Sequence, residues 1–195
     1  MYCNTYSMLS KEIEIIKLPI PHLQNEVMMN YLQQYVRWNF VFDRERNISP
    51  KMLEVVSPSE KSDAGLATIS YSKGLEGTTK DNYLNFFGDL IFFHCKEKSQ
   101  KYHFDQVSRY YWNLYSRSSK CLFHTDEHHV NRFISIVYNL HSNDGGTQFK
   151  TGTVLANESE AVIFPSHLLH KGLAPKKNKW RLSLNIVATL KENYE

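Results

Sequence analysis

Cys121-Leu122-Phe123-His124-Thr125-Asp126 is the stretch on which the reading of this chain turns. In an extended strand side chains i and i+2 point to the same face, so His124 and Asp126 can converge on one ion. The run is the second of eight short β-like segments that follow Phe104, at residues 108–116, 121–126, 132–141, 147–150, 152–157, 161–165, 170–174 and 181–190. Short strands at this spacing, divided by turn signals, predict an all-β barrel or sandwich. Asn143-Asp144-Gly145-Gly146 is predicted as the sharpest turn between them. In the run 132–141, Phe133, Ser135, Val137 and Asn139 alternate with Ile134, Ile136, Tyr138 and Leu140 in a pattern only partly polar-apolar, which predicts a strand largely covered on both sides.

Upstream of the strands the periodicity changes. Leu23, Val27, Tyr31, Leu32, Tyr35 and Trp38 recur at helical intervals after two prolines, predicting an amphipathic helix over 22–38. Tyr83, Leu84, Phe86, Phe87, Leu90, Ile91 and Phe93 predict a second over 83–98, with Gly88 as the one unfavourable residue. Between them, residues 57–82 are rich in Ser, Gly, Thr, Lys and Glu and read as a long irregular segment, with one short strand at 66–71. Long loops of this kind often act as lids. The helices are expected to cover the outer face of the β core.

Composition bounds the function only mildly. With 195 residues, 42% hydrophobic and 22% charged, the chain has the material for one domain with a sizeable core. A formal charge of +3 argues against a nucleic-acid binder, which needs a concentrated basic stripe. The lysines at 176, 177 and 179 read as a solvated hairpin loop. Three scattered cysteines, Cys3, Cys95 and Cys121, form neither a disulfide framework nor a zinc knuckle, and point to a reducing cytoplasm. The N-terminus lacks the pattern of a secretion signal, and no apolar run could span a bilayer.

His124 and Asp126 need a third ligand from a distant segment. Two imidazoles and one carboxylate form the facial set that suits Fe(II) and leaves coordination positions open. His167 and His170 both stand in Phe164-Pro165-Ser166-His167-Leu168-Leu169-His170-Lys171-Gly172 and compete for that place. His128 and His129 follow the aspartate closely, but adjacent strand residues face opposite ways, so they read as loop residues near the mouth. Arg181 and Ser183 lie two apart on an apolar strand and share a face with Asn185. An inward-facing arginine needs an anion: either a protein carboxylate or the carboxylate of a ligand. Asn113 and Tyr115 repeat the period-two pairing on the first core strand.

The order of these parts resembles the Fe(II)/2-oxoglutarate-dependent oxygenases, whose core is a double-stranded β-helix of eight strands. Gly145-Gly146-Thr147-Gln148-Phe149 and Phe164-Pro165-Ser166 are similar to segments of the prolyl hydroxylase-like branch. Asn113-x-Tyr115 is similar to a cosubstrate-contacting pair of the nucleic-acid-demethylating branch. The resemblance spans about residues 110–190.

It implies a mainly β fold: a jelly-roll or cupin-like core at 105–190, buttressed by a helical and loop region at 1–104, in a single domain over 1–195. It implies Fe(II) on His124, Asp126 and His170, with His167 left at the rim. The 2-oxoglutarate cosubstrate is expected on Arg181, Ser183, Asn113, Tyr115 and Asn185, with Arg181 gripping the distal carboxylate through two parallel hydrogen bonds. The implied reaction uses O2 to hydroxylate an unactivated C–H bond, releasing succinate and CO2. The expected substrate is a peptide or prolyl side chain, or a small metabolite. A methylated nucleic acid is disfavoured by the charge balance. The alternative from another class is a cupin-like binding or structural module without turnover.

Overall fold

The computed structural model describes residues 11–40, 66–72, 81–130 and 132–191. In chain order the elements are β1 (Glu14–Lys17), α1 (His22–Gln34), β2 (Asn39–Phe40), β3 (Leu66–Ser72), α2 (Asn82–Lys98), β4 (Phe104–Ser116), β5 (Phe133–Asn139), β6 (Asn143–Phe149), β7 (Gly152–Ala156), β8 (Glu160–Pro165), β9 (His170–Leu173) and β10 (Trp180–Leu190). A seven-stranded antiparallel sheet runs β1-β8-β5-β10-β4-β3-β2, and a three-stranded sheet β7-β6-β9 faces it. Two sheets with helices on one outer side make the expected jelly roll.

Alternation along each strand divides the apolar residues into two layers. Trp112, Ile134, Ile136, Tyr138, Leu182, Leu184 and Ile186 turn outward and pack under Met28 and Leu32 of α1 and Leu84, Phe87, Ile91 and Cys95 of α2. Val137 and Val162 turn inward and meet Phe149, Val154 and Phe164 between the sheets. The double burial of β5 thus has a simple cause: helices cover one face and the second sheet the other.

The helix boundaries follow local chemistry. Asp81 caps α2, accepting from the Tyr83 and Leu84 amides at 3.0 Å each, and Lys96 and Lys98 stand at the negative end of its dipole. Gly88 is tolerated because a Cβ there would meet the Tyr110 ring at 3.0 Å. Helix α1 stops at Gln34, short of the predicted Trp38. The Trp38 indole folds back to donate to the Leu32 carbonyl at 3.0 Å, satisfying one of the helix's terminal acceptors.

Three expectations change. Residues 143–146 form no turn; they open β6, with a register irregularity between Asn143 and Gly146. Glycine is needed there for close approach: a Cβ on Gly145 would come 2.6 Å from the Leu173 carbonyl, and one on Gly146 would overlap the Val154 carbonyl. Residues 121–126 form only an isolated bridge, His124 opposite His170. Beyond it the chain leaves the sheet, and the Asp126 amide donates to the Ser166 carbonyl at 2.9 Å. Strands β1 and β2 add an outer strand at each end of the large sheet. The predicted strand at 66–71 is β3, while residues 57–65 and 73–80 of the expected loop lie outside the described residues. No helix among the described residues is long and apolar enough to cross a membrane.

Candidate metal centre and anion pocket

His124, Asp126 and His170 meet in the barrel, their ligand atoms all within 4.8 Å of one another. The bridge between His124 and His170, with N···O distances of 2.8 and 3.0 Å, sets the two histidine backbones side by side. Each imidazole is also held from behind. His124 Nδ1 lies 3.0 Å from the Leu122 carbonyl and His170 Nδ1 lies 2.8 Å from that of Leu168. A carbonyl only accepts, so both Nδ1 atoms carry the proton, and Nε2 is the lone-pair nitrogen of each ring. These Nε2 atoms stand 3.9 Å and 3.5 Å from the Asp126 oxygens.

The Asp126 side chain is 5% exposed and bound from three strands. Ser135 on β5 donates to Oδ2 at 2.6 Å, and Asn185 on β10 sets Nδ2 at 3.2 and 3.3 Å from the two oxygens. Arg109 on β4 donates to the Asp126 carbonyl at 2.9 Å and pairs with Glu127 at 3.2 Å. Burial alone would raise the Asp126 carboxyl, but the neighbouring His170, Arg109 and His124 and the Ser135 hydrogen bond outweigh it, holding the group well below the usual carboxylate range. The cluster therefore presents an ionised carboxylate and two imidazole lone pairs, a donor set suited to a divalent first-row metal.

Arg181 sits deeper on the same inward face of β10, and is 1% exposed. It donates to the Gly146 carbonyl at 2.6 Å and the Asn139 side-chain oxygen at 3.2 Å. Nε is buried without a partner, and among the described residues no carboxylate pairs with Arg181. Burial lowers its pKa, with Tyr115 and Cys121 opposing. Guanidinium stays charged regardless, so a desolvated cation here calls for an anion. The Tyr115 ring lies 5.2 Å from the guanidinium, and its hydroxyl occupies the space a Cβ on Gly172 would need, at 2.7 Å. Ser183 is buried opposite Asn113 and Asn139 in the sheet register. Asn113, Tyr115, Arg181 and Ser183 thus share one inward wall of the large sheet.

Asn185 shares that wall, but its amide is committed to Asp126. His167 stands outside the cluster. His128 is exposed, its ring 3.3 Å from the Thr125 hydroxyl. Sequence reasoning missed Ser135 and Arg109 as partners of Asp126. The available signal was period-two alternation, which places Arg109 on the face of Asn113 and Tyr115, and Ser135 on the inward face of β5.

No protein-family profile matches the chain. No curated protein matches it in sequence. Solved structures do match in fold. A prolyl-4-hydroxylase from Pseudomonas putida superposes with a TM-score of 0.53 at 14% identity, covering 93% of this chain and 94% of that one. The non-heme α-ketoglutarate-dependent epimerase SnoN of nogalamycin biosynthesis gives 0.60 at 8% identity, covering 91% and 78%. HygX from Streptomyces hygroscopicus, with nickel and 2-oxoglutarate bound, gives 0.58 at 8% identity, covering 91% and 82%. At these identities the likeness establishes the fold they share.

Proposed function

We propose that this protein is an Fe(II)- and 2-oxoglutarate-dependent oxygenase that hydroxylates a C–H bond of a peptide side chain or a small molecule. The observation that carries the reading is the pairing, in one barrel interior, of a pre-oriented His-Asp-His cluster with a buried arginine that has no carboxylate partner among the described residues. The fold is the one used by the Pseudomonas putida prolyl-4-hydroxylase and by HygX, whose structure holds 2-oxoglutarate.

His124, Asp126 and His170 would hold the metal, and Arg181 would hold the distal carboxylate of the dicarboxylate. The Gly146 carbonyl and the Asn139 side-chain oxygen hold the guanidinium before a ligand arrives, and its Nε has no partner among the described residues. Ser183 and Asn113 offer a hydroxyl and an amide alongside it. Bound Fe(II) would supply oxygen activation, coupled to oxidative decarboxylation of 2-oxoglutarate to succinate and CO2. The chain's own part is positioning and exclusion of water: backbone carbonyls lock the imidazole tautomers, and the two sheets enclose the reacting centre. Support for a peptide substrate is the prolyl hydroxylase-like Gly145-Gly146-Thr147 segment, which lies against Arg181.

The test is direct. Fe(II) and 2-oxoglutarate added without oxygen should produce a visible charge-transfer band. Under oxygen, succinate should form, and His124→Ala or Asp126→Ala should abolish it. Absence of the band would favour a binding module with the same fold. Screening peptides, amino acids and methylated oligonucleotides by succinate release would then identify the substrate class.

A further inference from the structure

Asn185 has one end occupied and the other open. Its Nδ2 reaches both Asp126 oxygens, which fixes the orientation of the amide: the reverse orientation would set an amide oxygen against a carboxylate. Its Oδ1 is then buried with no hydrogen-bond partner. Buried polar atoms without partners are rare and call for an explanation.

Its surroundings limit the explanation. Asn185 stands between Tyr111 of β4 and Val137 of β5 in the register, on the inward face it shares with Arg181 and Ser183. Amide bond lengths put Oδ1 roughly 2.3 Å from Nδ2, so it lies no more than about 5.6 Å from either Asp126 oxygen. A water bound to an ion on Asp126 lies within about two metal–oxygen bonds of 2.0–2.2 Å of those same oxygens. These limits allow a hydrogen bond from that water to Oδ1.

We infer that Asn185 is a two-ended positioning residue: Nδ2 orients the metal-binding carboxylate, and Oδ1 accepts a hydrogen bond from a water bound to the same ion. The inference rests on the proposed metal site. It assigns Asn185 to the aqua ligand rather than to the cosubstrate. Ser135 makes the informative contrast, because it touches Asp126 only as a donor to the carboxylate.

Mn(II) alone, with the full chain, separates these roles. Calorimetry reads Mn(II) affinity, and oxygen-17 relaxation of solvent water reads the residence time of water on the bound ion. Ser135→Ala should weaken Mn(II) binding within the roughly 10–100-fold range of such outer partners and leave the residence time unchanged. Asn185→Leu should weaken binding similarly and also shorten the residence time severalfold at saturating Mn(II). Asn185→Ala gives the same reading should the leucine fail to pack. A residence time equal to wild type in a folded Asn185 variant overturns the inference while leaving the metal site standing. Wild-type Mn(II) binding that is absent, or unaffected by His124→Ala, overturns the metal site itself.

Discussion

His170 Nε2 lies 3.5 Å from Asp126 Oδ2, while Nδ1 of the same ring lies 2.8 Å from the Leu168 carbonyl. One imidazole is thus anchored through one nitrogen and offered through the other. The carbonyl settles which nitrogen carries the proton, so no tautomer shift is needed when a metal binds.

Replacing His170 by alanine should therefore remove a ligand and not merely a support. Its loss of metal affinity, measured by Co(II) titration, should exceed the roughly 10–100-fold expected for an outer partner. Affinity equal to wild type would place the metal elsewhere.

Arg181→Met should abolish the thermal stabilisation conferred by 2-oxoglutarate in the metal-loaded protein. With ligand at about 100 times its Kd, the wild-type protein should gain about 2.7 kcal/mol, and the variant none. Differential scanning calorimetry with and without the dicarboxylate checks this. A shift retained in full would show that the anion binds away from Arg181.

Two glycines should separate packing from pocket shape. Gly145→Ala drives a Cβ against the Leu173 backbone, which cannot rotate away. It should cost about 1–3 kcal/mol, lowering the Tm by roughly 2–4 °C for each kcal/mol. Gly172→Ala presses on the Tyr115 hydroxyl end, which a side-chain rotation can relieve. It should lower stability less and 2-oxoglutarate affinity more.

Helix α1 is joined to the β core by His22, whose Nδ1 lies 2.7 Å from Glu158 Oε1. The Glu158 hydrogen bond and charge raise the His22 pKa above its ordinary 6.5. Burial alone would raise the Glu158 carboxyl, but the His22 and Asn25 hydrogen bonds and nearby positive charges lower it below 4.5. The His22 contribution to stability is complete below pH 6.5 and is lost as pH rises through the raised value. The Glu158 contribution is present above pH 4.5 and is lost as pH falls through the lowered one. An NMR titration of the His22 ring should show a midpoint above 6.5 that returns toward 6.5 in Glu158→Gln. An unchanged midpoint would remove Glu158 as the cause.

Asp81 both caps α2 and accepts from the Tyr31 hydroxyl at 2.8 Å, tying the two helices together. Asp81→Ala should destabilise the protein by about 0.5–2 kcal/mol, measured by urea unfolding.

What the chain declares by itself is local or ordinal. Period-two spacing put His124 with Asp126 and Arg181 with Ser183, helical spacing located α1 and α2, and the order of motifs pointed to the jelly roll. What only the tertiary structure decided depends on segments far apart in sequence. Asn185 reaches the Asp126 carboxylate 59 positions away, and Ser135 and Arg109 reach the same group from two further strands. Asn143-Asp144-Gly145-Gly146 carries a strong local turn signal, yet it lies in β6. The Leu173 and Val154 carbonyls press so closely on that strand that only glycine fits. Local propensity reports what a segment can adopt, whereas pairing across sheets, closed at a cost in chain entropy, determines which of those conformations is kept.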